Sequence, residues 1–421
     1  MISARIGTAL LLATVLATAT CEFGAPAPFP TEGEPPLAVI PPHPPRASDG
    51  GGLRPLFAAL ADIEAGAAPR PVVAIQIGDS HSAADLFSGR MRELFQERFG
   101  AAGRGMMPAG LPYNYYRPRM ARVAETGDWR RANSFTASGP FGIGGVIQQS
   151  ADAGAQMTLT ETEPAGFDRA FFEVLRQPGG GTLRMQVDDR EPHEFATAAG
   201  AAGPHWVEFD APRGSHRLTL GGAATVLAWG TQRQTSGIVY ENFGVVGATV
   251  DVIGHWDPGT VAAELARRDP ALIVVVFGTN EGVRPPQSLT RYAERFAARI
   301  KALRGAVPGA AVLVVGPPDV GRHGQPPVAG CDADWAPPPG IAIVREAQRE
   351  VARREGWYFW DWQAAMGGPC AADRWARQDP PLELADHIHQ KPDGYRRSAE
   401  LLFAAIMDEY RQYRSATGLG S

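Results

Sequence analysis

Three regimes of apolar and polar residues divide the chain. Val72 to Ile77 is apolar without the alternation of a half-exposed strand, as a strand covered on both faces requires. Phe87, Met91, Leu94 and Phe95 then recur at helical spacing, which predicts a helix from Asp85 to about Phe99. The period changes just after Gly78, so Ser80 stands where a buried strand turns into a helix. Open α/β folds place their ligands at this edge of the sheet, near the free N–H groups of a helix start. A Gly-Asp-Ser by itself is equally a helix cap, and only further partners give Ser80 chemistry.

Residues 101–117 are rich in Gly and Pro, which predicts a long loop ending in the aromatic cluster Tyr113, Tyr115 and Tyr116. The cluster packs one domain on the next or stacks on a sugar ring. From about Phe135 to Gln234 the pattern becomes short strands divided by turns: Met157 to Thr160, Ala170 to Leu175, Thr182 to Val187, Trp206 to Phe209, Arg217 to Leu220 and Thr225 to Trp229. This spacing, with no helical run within it, predicts a β-sandwich or jelly roll inserted into the α/β body.

The α/β pattern then resumes. Strands are expected at Val239 to Val246, Leu272 to Phe277, Ala311 to Val315 and Trp357 to Trp360, with helices at Thr260 to Arg268, Leu289 to Leu303, Ile341 to Arg354 and Ser398 to Tyr410. Alternation of this kind builds a parallel sheet with helices on both sides.

Composition changes the picture at the ends. The net charge of −5 supplies no basic field for nucleic acid. Arg5, the apolar run Ile6 to Ala19 and the small residues before Cys21 read as a bacterial secretory signal (residues 1–21) ending in a lipobox, although Thr18 and Thr20 stand where Leu and a smaller residue are usual. An ordinary cleaved signal is the alternative. No later stretch is apolar enough to span a membrane, so contact with one is expected only through a lipid on Cys21. Residues 22–52, crowded with Pro and Gly, read as a tether. Cys331 and Cys370 remain as a disulfide pair or as two free thiols.

The predicted strand ends carry the candidate chemistry. Ser80 follows the first, Gly247 the second and Asn280 the third, while Asp386-His-Ile-His389 precedes the last helix. A serine hydroxyl becomes a nucleophile when a base takes its proton, and a histidine held by a carboxylate is the usual base. Asp386 is placed to hold His389 from within one loop. A Gly N–H and an Asn amide supply donors for a developing oxyanion. No His, Cys or Asp cluster has metal-ligand spacing, and no dinucleotide or phosphate loop is present, so no cofactor is expected.

Gly78-Asp79-Ser80, Gly247, Gly278-x-Asn280 and Asp386-x-x-His389 follow the order of the blocks of the SGNH (GDSL-type) hydrolases, and the chain resembles that family. The resemblance covers roughly residues 70–100 and 238–412. It implies a flavodoxin-like three-layer α/β fold. It also implies Ser80 as nucleophile, His389 as base, Asp386 as its orienter, and the Ser80 N–H, Gly247 N–H and Asn280 amide as oxyanion hole. His81 replaces a common Leu and is expected to pack or to bind substrate; Glu281 stands where Asp is frequent; His387 is expected to be a solvated loop residue. The Gly-Asp-Ser-His form, the insert, Gly316-Pro-Pro-Asp319 and Trp360-Asp-Trp-Gln363 together resemble the peptidoglycan O-acetylesterase branch, whose hydrolase domain carries a carbohydrate-binding-like module.

The expected organisation is a hydrolase domain over 53–112 and 238–415 with a β-sandwich over 113–237. The expected activity is removal of O-acetyl groups from a cell-envelope polysaccharide, most naturally peptidoglycan, by a periplasmic lipoprotein through an acetyl-Ser80 intermediate. Tyr113, Tyr115 and Tyr116 are candidate substrate contacts. Transfer of the acetyl group to another sugar, and glycan binding without turnover, are the alternatives.

Overall fold

The computed structural model describes residues 51–331 and 334–419. The expected signal, Cys21 and nearly all of the expected tether lie outside the described residues. Gly51 and Gly52, expected in the tether, instead open a 3₁₀ turn, Gly51–Leu53, that feeds a helix, Arg54–Glu64, whose Leu56, Phe57 and Leu60 are buried. No described helix is long and apolar enough to cross a membrane.

The body is built on a five-stranded parallel sheet, ordered Ile238–Gly244, Val72–Gly78, Leu272–Val276, Ala311–Val315, Tyr358–Trp360. This is the doubly wound flavodoxin-like order. Its direction reverses between the strands Val72–Gly78 and Leu272–Val276, which opens a crevice beyond their carboxyl ends. Alternate residues face opposite sides. Val73, Ile75 and Ile77 join a core with the helices Pro258–Arg268, Tyr292–Ala306 and Pro339–Glu355. Ala74, on the other face, lies with Arg54–Glu64, Phe87–Phe99 and Pro392–Thr417. Each large side chain buried in these layers contributes roughly 1.5–3 kcal/mol.

Two helices begin before their apolar period does. Pro339 and Pro392 occupy first-turn positions, where a missing N–H costs nothing, and carry the helix starts ahead of Ile341 and Ser398. The helix expected from Leu289 starts instead at Tyr292, because Arg291 adopts a left-handed φ of 57° after the short 3₁₀ turn Pro286–Leu289.

The insert is a sandwich of two antiparallel sheets. One is ordered Gly203–Ser215, Phe167–Arg176, Ala224–Gln232, Val146–Ser150, Arg130–Asn133. The other is ordered Ala121–Thr126, Gln156–Glu161, Arg217–Gly222, Thr182–Val187, His193–Ala196. Met157, Leu159, Leu218 and Leu220 meet Phe172, Val174, Val226 and Trp229 between them. The loop expected over 101–117 is partly a strand: Gly105–Pro108 pairs antiparallel with Ala224–Gln232. This strand lies ahead of the expected start of the insert at 113, and its Gly and Pro hide it from the pattern. Phe171 and Met106 belong to the same core as the first sheet face, so the insert is packed into the hydrolase body.

Candidate active site

Gly78 ends the first strand because nothing larger fits: a Cβ there would lie 2.5 Å from the Val276 carbonyl oxygen. Asp79 then caps a short helical turn, Ser80–Ala83, with Oδ1 accepting from the His81 N–H at 2.9 Å. Capping falls to Asp79, and the Ser80 hydroxyl is left to face His389 Nε2 at 3.0 Å. His389 Nδ1 lies 2.7 Å from Asp386 Oδ2, and Asp386 Oδ1 accepts the N–H groups of Ile388 and His389 at 2.9 Å each. Burial pushes the Asp386 carboxyl up, but the His389 ring and these two N–H groups outweigh it and hold the pKa at about 2. The structure thus brings Ser80, His389 and Asp386 into one hydrogen-bonded chain. An imidazole so held accepts a proton from the hydroxyl, and the carboxylate stabilises the cation formed.

The other side of Ser80 is a pinned turn. Gly247 sits at φ 75°, in the left-handed region that favours glycine. Asn280 Nδ2 donates to the Ala248 carbonyl at 2.9 Å and lies 3.4 Å from Asp79 Oδ2. Glu281 Oε1 accepts the Val250 N–H at 2.9 Å, so adjacent side chains fasten both ends of this turn. Burial raises the Asp79 carboxyl to about 8, with the His81 N–H opposing, and raises Glu281 to about 7, with the Val250 N–H opposing. Near neutral pH the Asp79 carboxyl beside Asn280 is therefore mostly protonated, while Glu281 is about half ionised.

His81 packs, as one of the two expectations had it. It is buried against Trp362 and His389 with ring centroids 5.4 Å away in each case, and its Nδ1 lies 2.9 Å from the Tyr395 hydroxyl. Burial, and then the neighbouring His389, lower its pKa to about 3, so the ring beside His389 stays neutral.

His387 departs from expectation. It is buried at φ 54°, not solvated, with Nε2 3.2 Å from Asp373 Oδ1 and Nδ1 3.0 Å from the Ala385 carbonyl. Its own carbonyl accepts the Gly321 N–H at 2.8 Å. The reason lies in a short helix absent from the sequence reading, Ala371–Arg377, which brings Asp373 under the loop. Cys370, just before that helix, is disulfide-bonded to Cys331, with Cα atoms 5.2 Å apart.

The tyrosine cluster divides. Tyr116 is buried within the sandwich, while the Tyr113 hydroxyl donates to the Ala83 carbonyl and its ring packs on Tyr115 at 4.7 Å. It joins insert to hydrolase at the nucleophile turn. Asp85, next along, is buried with Arg92 and Arg104. Burial alone would raise its carboxyl; the two guanidiniums hold it well below the usual range. No group of His, Cys, Asp or Glu among the described residues is placed to hold a metal ion. Pairing of Tyr395 with His81, and of Asp373 with His387, left no local signal in the sequence, because each joins distant segments.

Residues 210–397 match the family model of the GDSL-like Lipase/Acylhydrolase family. That span holds Gly247, Asn280, Asp386 and His389, and the earlier segment adds Ser80. The chain carries a hydrolase domain of the SGNH, or GDSL-like, class. Its fold, insert included, is similar to a solved peptidoglycan O-acetylesterase, which aligns with 87% of this chain and 99% of its own at 24% identity and a TM-score of 0.74. A family two carbohydrate esterase from Clostridium thermocellum, in complex with cellohexaose, aligns with 68% of this chain and 99% of its own at 12% identity and a TM-score of 0.29. An acetyl xylan esterase aligns with 41% of this chain and 81% of its own at 14% identity and a TM-score of 0.30. No curated protein matches the chain.

Proposed function

We propose that the chain is a serine esterase that removes O-acetyl groups from an extracytoplasmic polysaccharide, with peptidoglycan as the first substrate to test. The observation that carries this is the hydrogen-bonded chain Ser80 Oγ, His389 Nε2, His389 Nδ1, Asp386 Oδ2 at 3.0 and 2.7 Å, placed at the sheet's switch point beside Gly247 and Asn280. The similarity in fold to a peptidoglycan O-acetylesterase supports the choice of glycan.

In this reading His389 Nε2 takes the Ser80 proton as Oγ bonds to the acetyl carbonyl carbon. The oxyanion that forms is held by the N–H groups of Ser80 and Gly247 and by the Asn280 amide. Collapse breaks the bond to the sugar oxygen, which receives the proton from His389 and leaves as an alcohol. Water, giving its proton to His389, then attacks acetyl-Ser80; collapse returns that proton to Ser80 and releases acetate. Asp386, ionised throughout, orients the ring and balances its transient charge. Secretion and a lipid on Cys21 belong to the same proposal, supported by the N-terminal sequence and by a disulfide suited to an oxidising compartment.

Acetate release from O-acetylated peptidoglycan, beside O-acetylated xylan and the Ser80→Ala variant, tests it. Release from peptidoglycan that vanishes in the variant supports the assignment. Preference for xylan overturns the peptidoglycan choice, and release undiminished in the variant overturns the mechanism.

A further inference from the structure

Phe135 is among the few large apolar side chains exposed in the described residues, at 43%. Single exposed apolar residues are ordinary; its surroundings are not. Asn133 Oδ1 accepts the N–H groups of Phe135 and Thr136 at 3.0 and 3.1 Å. The preceding residue, Ser134, is fully buried, and its N–H donates to the Gly145 carbonyl at 2.8 Å. Its carbonyl faces His255 Nδ1 at 2.7 Å and its hydroxyl accepts from Trp256 Nε1 at 3.1 Å. His255 and Trp256 belong to the hydrolase segment that follows Gly247, so the tip of the insert is fixed to the body beside that turn. A Cβ built on Gly247 would stand 3.7 Å from Phe135 Cε1. A rigid loop of the insert thus holds an exposed ring against the glycine whose N–H faces the developing oxyanion in the reading above.

We propose that Phe135 is the platform on which the sugar bearing the scissile acetyl group stacks. The inference rests on the esterase reading and names the insert's contribution to it. An acetyl group has only two carbons, so with its carbonyl at Gly247 the surface just beyond is covered by the alcohol part of the ester. A pyranose presents an apolar C–H face and a polar rim, and a phenyl ring with no hydrogen-bonding group takes that face while leaving the hydroxyls to water. Held out by its neighbours' hydrogen bonds, the ring needs no rearrangement to receive the sugar, which lowers the entropic cost of binding. The tyrosine cluster is engaged elsewhere: the Tyr113 hydroxyl is bound to Ala83, Tyr115 packs on the Tyr113 ring at 4.7 Å, and Tyr116 is buried.

The test compares wild type, Phe135→Ala and Phe135→Trp on an O-acetylated chitooligosaccharide and on p-nitrophenyl acetate. The expected result for Phe135→Ala is a rise in KM for the sugar ester with kcat little changed. The ratio of kcat/KM for the sugar ester to that for p-nitrophenyl acetate then falls about fivefold to tenfold, and Phe135→Trp restores it. A ratio left unchanged, whether through equal losses on both substrates or through no loss on either, would overturn the proposal. Calorimetric binding of the chitooligosaccharide in a Ser80→Ala background separates the two readings. Weaker binding in Phe135→Ala supports the platform even where wild type releases no acetate from sugars and the esterase reading has failed, whereas binding that is absent or indifferent to Phe135 in that case overturns the platform.

Discussion

The ring of His387 lies flat on Trp335, centroids 3.6 Å apart and planes 18° apart. With Nε2 at Asp373, the ring is gripped from two sides, and the disulfide joins the segments that grip it: Cys331 lies shortly before Trp335, and Cys370 shortly before Asp373. The backbone on either side of His387 carries Asp386 and His389. Loss of the ring therefore loosens the loop that sets the angle between carboxylate and imidazole. For His387→Ala the expected outcome is a fall in kcat of about tenfold with KM nearly unchanged, and a stability loss of about 1–3 kcal/mol. Steady-state kinetics on p-nitrophenyl acetate and denaturant unfolding check both. A full kcat would show that the loop holds its geometry without this grip.

In the proposed mechanism Ser80 and His389 act on one proton, so their removal is not additive. Ser80→Ala and His389→Ala are each expected to lower kcat by about 10⁴-fold or more, and the double variant to lose little beyond either single change. Acetate release by the three variants checks this. Losses that multiply in the double variant would mean that the two residues serve separate steps.

Much of this site was legible because its groups lie in short local patterns: a hydroxyl where strand turns to helix, an Asn after a buried strand, an Asp and a His three residues apart. The parallel sheet was legible for a similar reason, its strands being short runs dominated by apolar residues and free of regular polar alternation. What stayed hidden depends on contacts between distant segments. The strand Arg130–Asn133 has no apolar alternation to mark it, and Gly105–Pro108 reads as a loop until it pairs with Ala224–Gln232. His387 looked solvated because nothing near it in sequence announces Trp335 or Asp373. Phe135 marked only where the β pattern began, since its nearness to Gly247 is a property of the fold.

Asp85 shows how strongly the nucleophile segment is tied to the insert. Its carboxylate takes Arg92 at 2.8 Å, Arg104 at 3.2 Å and the Arg119 N–H at 2.9 Å, and the first two side chains have no exposure. Removing the single anion strands two buried cations. Asp85→Ala is expected to cost about 3–5 kcal/mol, read as a fall in the urea midpoint. A loss below about 1 kcal/mol would show that water or a shifted side chain replaces the carboxylate.

Asp79 gives the protein a stability that falls with rising pH. Burial moves its pKa from the ordinary 3.8 to about 8. Between these values the unfolded carboxyl has lost its proton while the folded one keeps it, so the contribution is complete below 3.8 and declines as pH rises towards 8. Asp79→Asn retains an acceptor for the His81 N–H and does not titrate. Its stability relative to wild type is therefore expected to improve from pH 5 to pH 8, by roughly 2–4 kcal/mol. Urea unfolding of both proteins at the two pH values reads this directly, and an equal difference at each would place the Asp79 proton elsewhere.

The proposed mechanism gives Asn280 two tasks that a single substitution would confuse. Its amide donates to the Ala248 carbonyl at 2.9 Å, which steadies the turn bearing Gly247, while the contact to Asp79 Oδ2 at 3.4 Å is long enough for that hydrogen to prefer an oxyanion. Asn280→Ala is expected to lower kcat by about 10²–10³-fold with KM little affected, since the lost donor matters only once negative charge develops. A loosened turn would instead raise KM and lower the unfolding midpoint. Affinity for a boronic acid that forms a tetrahedral adduct with Ser80 separates the two, because the adduct carries the charge that the amide would meet. Loss of that affinity in step with kcat assigns Asn280 to the charged state. Affinity retained while kcat falls assigns it to the turn, and leaves the N–H groups of Ser80 and Gly247 to hold the oxyanion alone.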